Sequence, residues 1–451
     1  MNQYLAAQSP LVSSTGQASG TVIQVNDQNR FQAFSGAGAA LTDSSAWLIS
    51  QLSSTERGTL MDDLFDAGSS GGIHLNFLRV PMGASDFVAA PSDDPQPYTY
   101  DDNPPDGTDP DLDHFSIAHD LPYIIPTLRR ALSINGGLQI QANPWSPPAW
   151  MKGNGALDND GRRGTLLSSA YRPLAEYFVK FIQAYESNGV PIAEITPQNE
   201  PGVSTQYPGL QLSEAEEAAF IANYLKPALD HAGLTTKIYG NDLSWDQLGS
   251  FVDPLASAAT PDLAGIAWHC YFGSPEAMTA FQGTHLGLDQ IVNECSPEIG
   301  NLRAPEYLIS SLRNWASVVS VWNLALDPQG GPKMEANGCP GCIGLATIDD
   351  QGEGFTLGTE YYQVGQVSAF VAPGARRIDS TNFVTYGLNR SSVLTVSPGL
   401  DDVAFVNPDG SKVLVTYNNS ANPISFAVQQ SSDSYFTYTI PAEAMTTFTW
   451  T

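Results

Sequence analysis

From Phe34 to about residue 370, eight short β-rich runs alternate with longer segments of helical periodicity, and this alternation constrains the chain more than any other feature. The runs lie near residues 34–41, 73–79, 138–142, 192–196, 237–241, 265–269, 290–293 and 319–323. Strands separated by helices pair in parallel, and eight such units close a (β/α)8 TIM barrel. Helices are predicted over 43–65 and 214–231, the second opened by a capping box of Ser213 and Glu216. Others fall near 121–132, 171–187, 245–258, 305–316 and 359–370. After about residue 373 the helical period stops, and alternating runs near 403–406, 413–417, 424–428, 435–440 and 446–450 predict an all-β module. Asn407-Pro408-Asp409-Gly410 supplies a hairpin turn between the first two. The lone run 21–25 has no local partner and is expected to complete that C-terminal sheet. The expected division is a barrel over 31–370, with 1–30 and 371–451 forming an associated β-sandwich.

Charge narrows the partners. With 19 Lys and Arg against 47 Asp and Glu, the net charge is -28, which repels nucleic acid and anionic membrane surfaces. No apolar stretch approaches the roughly 20 residues that span a bilayer, so no stable membrane insertion is expected. The first 20 residues are small and polar, with no basic segment ahead of an apolar run, and no signal peptide is visible. The charged fraction of only 15%, with abundant Gly, Pro, Ser, Thr and aromatic residues, fits a secreted enzyme whose export signal has been trimmed.

Four cysteines cannot define the fold of so long a chain. Cys339-Pro340-Gly341-Cys342 is expected to be a loop-clasping disulfide, since a redox CxxC would need a strand before it and a helix after it. Cys270 and Cys295 are expected to be small buried hydrophobes. The loop 91–114 carries eight aspartates; its spacing fails the EF-hand pattern, so a solvated rim loop is expected rather than a calcium site.

In a barrel the active site is built at the C-terminal strand ends. Polar residues gather there at seven ends: Arg79 with Asp86, Asn143 with Trp145, Asn199 with Glu200, Asn241 with Asp242, His269 with Tyr271, Glu294, and Trp322 with Asn323. Each alone has a structural explanation, such as an ion pair for Arg79 or a satisfied core histidine for His269. Two acids on separate strand ends, Glu200 and Glu294, are the minimum equipment for splitting a glycosidic bond. Pro201 pins the backbone just after the first of them.

The chain resembles glycoside hydrolase family 30 over nearly its whole length. The matching segments are 34–43, 78–82 with 85–87, Pro144-Trp145-Ser146-Pro147-Pro148-Ala149-Trp150-Met151-Lys152, Thr196-Pro197-Gln198-Asn199-Glu200-Pro201, His269-Cys270-Tyr271, Asn293-Glu294-Cys295 and 322–332. The resemblance implies that Glu200 is the general acid/base and Glu294 the nucleophile of a retaining β-glycosidase. It further implies that Asp86, Trp145, Asn199, Tyr207, His269, Tyr271, Trp322 and Asn323 line the sugar subsite, and that Arg79 orients the carboxylates. No cofactor and no metal are called for. β-1,6-Glucan and glucosylceramide-like β-glucosides are the expected substrates, with a β-xyloside, β-fucoside or β-galactan as alternatives. Gln198 stands where lipid-cleaving members carry an acid, which argues against carrying over a lipid substrate, and the acidic, polar loops favour a glucan or soluble glucoside.

Two readings from other classes compete. A non-catalytic carbohydrate-binding protein would use the aromatics as stacking platforms, but it has no need of both acids. A metal-dependent hydrolase is disfavoured because the six histidines show neither HxH nor HExxH spacing.

Overall fold

The computed structural model describes residues 5–89, 96–102, 104–159, 164–299, 302–334, 338–349 and 351–451. Strand β1 (Val22–Ala33) precedes eight barrel strands: β2 (Gly36–Ala40), β3 (Phe77–Pro81), β4 (Gln139–Asn143), β5 (Glu194–Ile195), β6 (Lys237–Ser244), β7 (Gly265–His269), β8 (Asp289–Glu294) and β9 (Val318–Val321). Each pairs in parallel with the next, and β9 closes on β2. All eight runs expected from the sequence are barrel strands.

The helices that cover the barrel differ in detail from expectation. The segment expected as one helix over 43–65 is two, α1 (Asp43–Gln51) and α2 (Ser54–Phe65), because the Ser53 side chain caps a new start by accepting the Glu56 N–H. The capping box of Ser213 and Glu216 opens α3 (Glu214–Phe220) as predicted. A π-turn over Ile221–Leu225 then carries the chain into Lys226–His231. The segment 245–258 begins with a 3-10 turn and a π-turn before its α-helical part, Asp253–Ala259.

Strand periodicity grades the barrel interior from apolar to charged. Residues two apart share a face of a strand, so Phe77 and Arg79, Ala267 and His269, and Ile291 and Asn293 are inward pairs. The first member of each joins Tyr239 and Val318 in an apolar cluster. The second members sit higher, and all three are fully buried in a hydrogen-bonded polar layer. In β2 small residues let neighbouring strands close: a Cβ on Gly38 would lie 1.9 Å from the Phe77 carbonyl oxygen.

The C-terminal strands are β10 (Arg376–Ser380), β11 (Leu400–Val406), β12 (Lys412–Asn418), β13 (Ile424–Ser431), β14 (Ser434–Ile440) and β15 (Met445–Trp450). With Ser14–Thr15 and β1 they form one eight-stranded sheet. It encloses its own core of Ile23, Ile378, Leu414, Phe426, Val428 and Phe436. Asn407 to Gly410 turn β11 into β12, with Gly410 at φ 89°. β1 pairs parallel with β13 at Val22–Gln24 and antiparallel with β10 further on, which is the pairing expected of the run 21–25. Arg313, whose guanidinium donates to the Asp402 carbonyl at 2.8 Å and to Ser380, ties the two cores together.

One cysteine expectation is corrected. Cys270 and Cys295 are not free buried hydrophobes: they are disulfide-bonded, one residue beyond His269 and one beyond Glu294. Their separation of 25 residues in sequence hides that β7 and β8 are neighbours. Cys339 and Cys342 form the expected loop clasp.

Candidate active site

Two bulges and three left-handed residues aim the key acids inward. Between β6 and β7 the register passes from Asn241 opposite Ala267 to Leu243 opposite Trp268, leaving Asp242 as the extra residue. Asn241 and Asp242 both have positive φ, 81° and 55°. Between β7 and β8 the register skips Asn293, so Glu294 pairs with His269. A bulge breaks the two-residue alternation and re-aims a side chain, which lets Asn293 and the next residue, Glu294, both face the centre. Glu200 follows the short β5 at φ 45°, its N–H bonded to the Asp242 carbonyl at 3.1 Å. Left-handed backbone at non-glycine residues costs on the order of 1–3 kcal/mol each and persists where surrounding structure enforces it.

Asp242 is the anchor beneath the site. It is fully buried and accepts five hydrogen bonds: Oδ2 from Arg79 (3.2 Å), Asn143 (2.9 Å) and Thr196 (2.7 Å), Oδ1 from His269 (3.0 Å) and Asn293 (2.6 Å). Burial alone would raise its pKa, but the Arg79 charge and the bonds from His269 outweigh it and hold the carboxylate well below its usual range. Burial likewise opposes charge on His269. The neighbouring Glu294 and the bonds to Asp242 and Glu200 overcome it and push the imidazolium up to about 10.

Above that anchor, Arg79 bonds Glu294 through Nη1 and the Asn199 side-chain oxygen through Nη2 at 2.7 Å. Tyr271 donates its hydroxyl to Glu294 Oε1 at 2.8 Å, and His269 Nδ1 lies 3.1 Å from Glu200 Oε1. Trp145 and Trp322 stack with ring centroids 5.1 Å apart, and the Arg79 guanidinium lies over both rings, 4.8 and 5.5 Å from their centroids. Tyr207 packs against this aromatic cluster. Burial first, then the charges of Glu200, Asp86 and Glu294, hold its phenol well above the usual range. Asp86 is buried in the same wall; burial pushes its carboxyl up to about 7, the Cys339 N–H opposes this, and Glu294 and Glu200 add to it.

The structure therefore gathers Glu200, Glu294, Arg79, Asp86, Trp145, Asn199, Tyr207, His269, Tyr271 and Trp322 around one centre. Asn323 stands apart in its bonding: it is fully buried and its side-chain oxygen accepts from Thr42 of the barrel wall at 3.2 Å. Asp242 is a strand-end residue in the sequence whose five-fold role shows only in three dimensions.

Ligand atoms of Glu200, His269 and Glu294 lie within 4.8 Å of one another, the only group of three metal-binding side chains among the described residues. Both histidine nitrogens are already engaged with carboxylates, and Arg79 adds a second cation, so the trio suits proton chemistry better than a metal. In the aspartate-rich loop, positions 91–95 and 103 lie outside the described residues. Asp102 accepts the Thr99 N–H at 2.8 Å and Asp109 the His114 N–H at 2.7 Å, bonds that shape the loop itself.

Comparison with known proteins gives one consistent result. Residues 34–371 match the model of the glycosyl hydrolase family 30 TIM-barrel domain, and residues 374–448 that of the family 30 beta sandwich domain. An endo-1,6-beta-D-glucanase of Trichoderma harzianum is 35% identical over 92% of this chain and 83% of its own length. The lysosomal acid glucosylceramidase of Mus musculus is 28% identical over 94% and 82%. The solved structure of an endo-beta1,6-glucanase superposes with a TM-score of 0.81 at 28% identity, covering 96% of each chain.

Proposed function

The chain belongs to glycosyl hydrolase family 30, and on that premise we propose that it is a retaining endo-1,6-β-glucanase with Glu200 as general acid/base and Glu294 as nucleophile. The observation that carries the mechanism is the approach of the two acids, with an oxygen of each inside the same 4.8 Å group. Retaining enzymes hold their carboxyl groups about 5–5.5 Å apart, whereas inverting ones leave about 6.5–9.5 Å for a water. The linkage rests on the curated glucanases, which are more similar to this chain (34–35% identical) than the mouse glucosylceramidase (28%).

Glu294 attacks the anomeric carbon while Glu200 protonates the departing oxygen; Glu200 then takes a proton from water, which releases the sugar. Arg79 and Tyr271 each hold one oxygen of Glu294, fixing the nucleophile's plane. Two cationic side chains, Arg79 and His269, face the carboxyl groups of Asp242 and Glu294. Arg79 can only donate, so it holds the oxygen end of Asn199 toward itself and turns the NH2 outward, free to bond a sugar hydroxyl. The stacked tryptophans supply the sugar platform.

Two disulfides fit an oxidising, extracellular setting. Among the described residues no helix is long and apolar enough to cross a membrane. The division into a barrel over 31–370 and a side β-module from 1–30 and 371–451 belongs to the same proposal.

The test is product analysis on β-1,6-glucan, glucosylceramide, xylan and aryl β-glycosides, with Glu200→Gln and Glu294→Gln alongside. A ladder of β-1,6-linked oligosaccharides from glucan is expected, with each variant losing about a thousandfold or more in kcat. Full activity in either variant refutes the roles; release of glucose alone refutes endo action.

A further inference from the structure

Asp86 stands in the sugar-pocket wall on the loop after β3, yet its support comes from a segment 253 residues later in the chain. Its Oδ2 accepts the Cys339 N–H at 3.1 Å, and its main-chain carbonyl accepts the Met334 N–H at 2.9 Å. Both donors belong to the segment after β9 that the Cys339–Cys342 disulfide ties. That segment is pinned on several sides. Cys342 Sγ lies 3.1 Å from Ser296 Oγ, two residues past Glu294, and Cys342 packs with Phe87, Trp145 and Trp322. Lys333 Nζ donates to the Cys339 carbonyl at 2.6 Å, and the Ile343 N–H donates to Glu298 at 3.0 Å.

A cross-link over so few residues constrains the unfolded chain less than a longer one would, so more of its effect falls on local geometry. Gly338 and Gly341 lie beside and within the tie, and glycine leaves such a turn free to adopt many conformations once the tie is cut. A displaced Cys339 N–H would leave a buried carboxyl without its fixed donor.

We propose that the Cys339–Cys342 disulfide is a specificity-determining clasp, holding the Cys339 N–H against Asp86 so that this carboxyl is set to bond a hydroxyl of the glucosyl unit in the pocket. The proposal rests on the glycosidase reading of the site. Cys339 and Cys342 are positioning residues; Asp86 is the group that meets the sugar.

A double-mutant cycle tests it, using Asp86→Ala, the pair Cys339→Ser with Cys342→Ser, and all three changes together, assayed on an aryl β-glucoside. The cysteine pair is expected to raise KM on the order of tenfold, the worth of one well-placed hydrogen bond, with kcat within about threefold. Once Asp86 is alanine, the same pair is expected to cost little, since the two act through one contact. An unchanged KM, or penalties that multiply, overturns the clasp. If the serine pair does not fold, the wild-type enzyme is treated with a dithiol, which delivers two electrons and two protons and converts the disulfide to two thiols. Alkylation mapping then confirms that the buried Cys270–Cys295 bond has survived, and the same KM rise is expected. Calorimetric binding of a glucose-shaped iminosugar to the same proteins reads the clasp without turnover. Wild-type enzyme that binds the iminosugar but cleaves no β-glucoside therefore counts against the glycosidase reading alone.

Discussion

Replacing Asp242 by asparagine keeps the volume of the buried anchor and removes its charge, and the five donors around it dictate the outcome. Whichever carboxylate oxygen becomes the NH2 group must face donors. Placed at the Oδ2 position, it meets Arg79, Asn143 and Thr196, and Arg79 cannot give up its proton. Placed at Oδ1, it meets His269 and Asn293, and His269 can become an acceptor by losing the proton on Nε2. The second arrangement is the cheaper, so Asp242→Asn is expected to bring the His269 pKa down from about 10 into the neutral range. Breaking a buried ion pair costs roughly 3–5 kcal/mol, a large part of the roughly 5–15 kcal/mol that stabilises a typical protein. His269 would then change its charge within the assay range, so the kcat/KM profile on an aryl β-glucoside should acquire a new pH dependence near neutrality. Urea unfolding gives the stability, and NMR titration of His269 gives its protonation. A variant that loses under about 1 kcal/mol and keeps the wild-type pH profile refutes the reasoning.

The remaining predictions concern the scaffold. Asp86 and Asp402 are pushed up to about 7 and Glu217 to about 8, each by burial first, so the folded chain holds protons that the unfolded chain releases between about pH 4 and 8. Stability should therefore fall as pH rises through that window, with His269 acting in the same direction above about 6.5; calorimetric Tm at constant ionic strength checks it, and a flat or rising Tm refutes it. The loop-entropy relation gives about 3.5 kcal/mol for the Cys270–Cys295 cross-link and about 2 kcal/mol for Cys339–Cys342, so paired serine variants should rank in that order by urea unfolding. Gly38→Ala should abolish soluble folding or cost more than about 4 kcal/mol, because the new methyl meets a backbone carbonyl rather than a side chain that can swing away; recovery of wild-type stability would show that β2 and β3 can part.

Much of this architecture is legible in the sequence because barrel strands, buried on both faces and bounded by helices, keep a local signature. The catalytic candidates are legible for a related reason: Glu200 and Glu294 each sit where a run ends. Asp242 is harder to weigh, because its inward aim comes from the bulge that interrupts β6, and a period-of-two reading cannot foresee where that period breaks. The Cys270–Cys295 pairing depends on the adjacency of β7 and β8, which exists only after the barrel closes. The break between α1 and α2 has a local signature, the capping pattern of Ser53 and Glu56, superposed on an apolar periodicity that runs through both helices.

The order in which the polypeptide is made meets a difficulty at β1. Two residues separate this strand from the first barrel strand, yet its hydrogen-bond partners on either side, β10 and β13, are among the last segments a ribosome would release. For most of synthesis β1 is an unpaired edge tethered to a barrel that is assembling, with its backbone donors and acceptors open to any other extended chain. Removal of the C-terminal module after folding would strip the same edge bare. Truncation at the barrel's end is therefore expected to yield an aggregating protein rather than a minimal enzyme, unless residues 22–33 are removed with it.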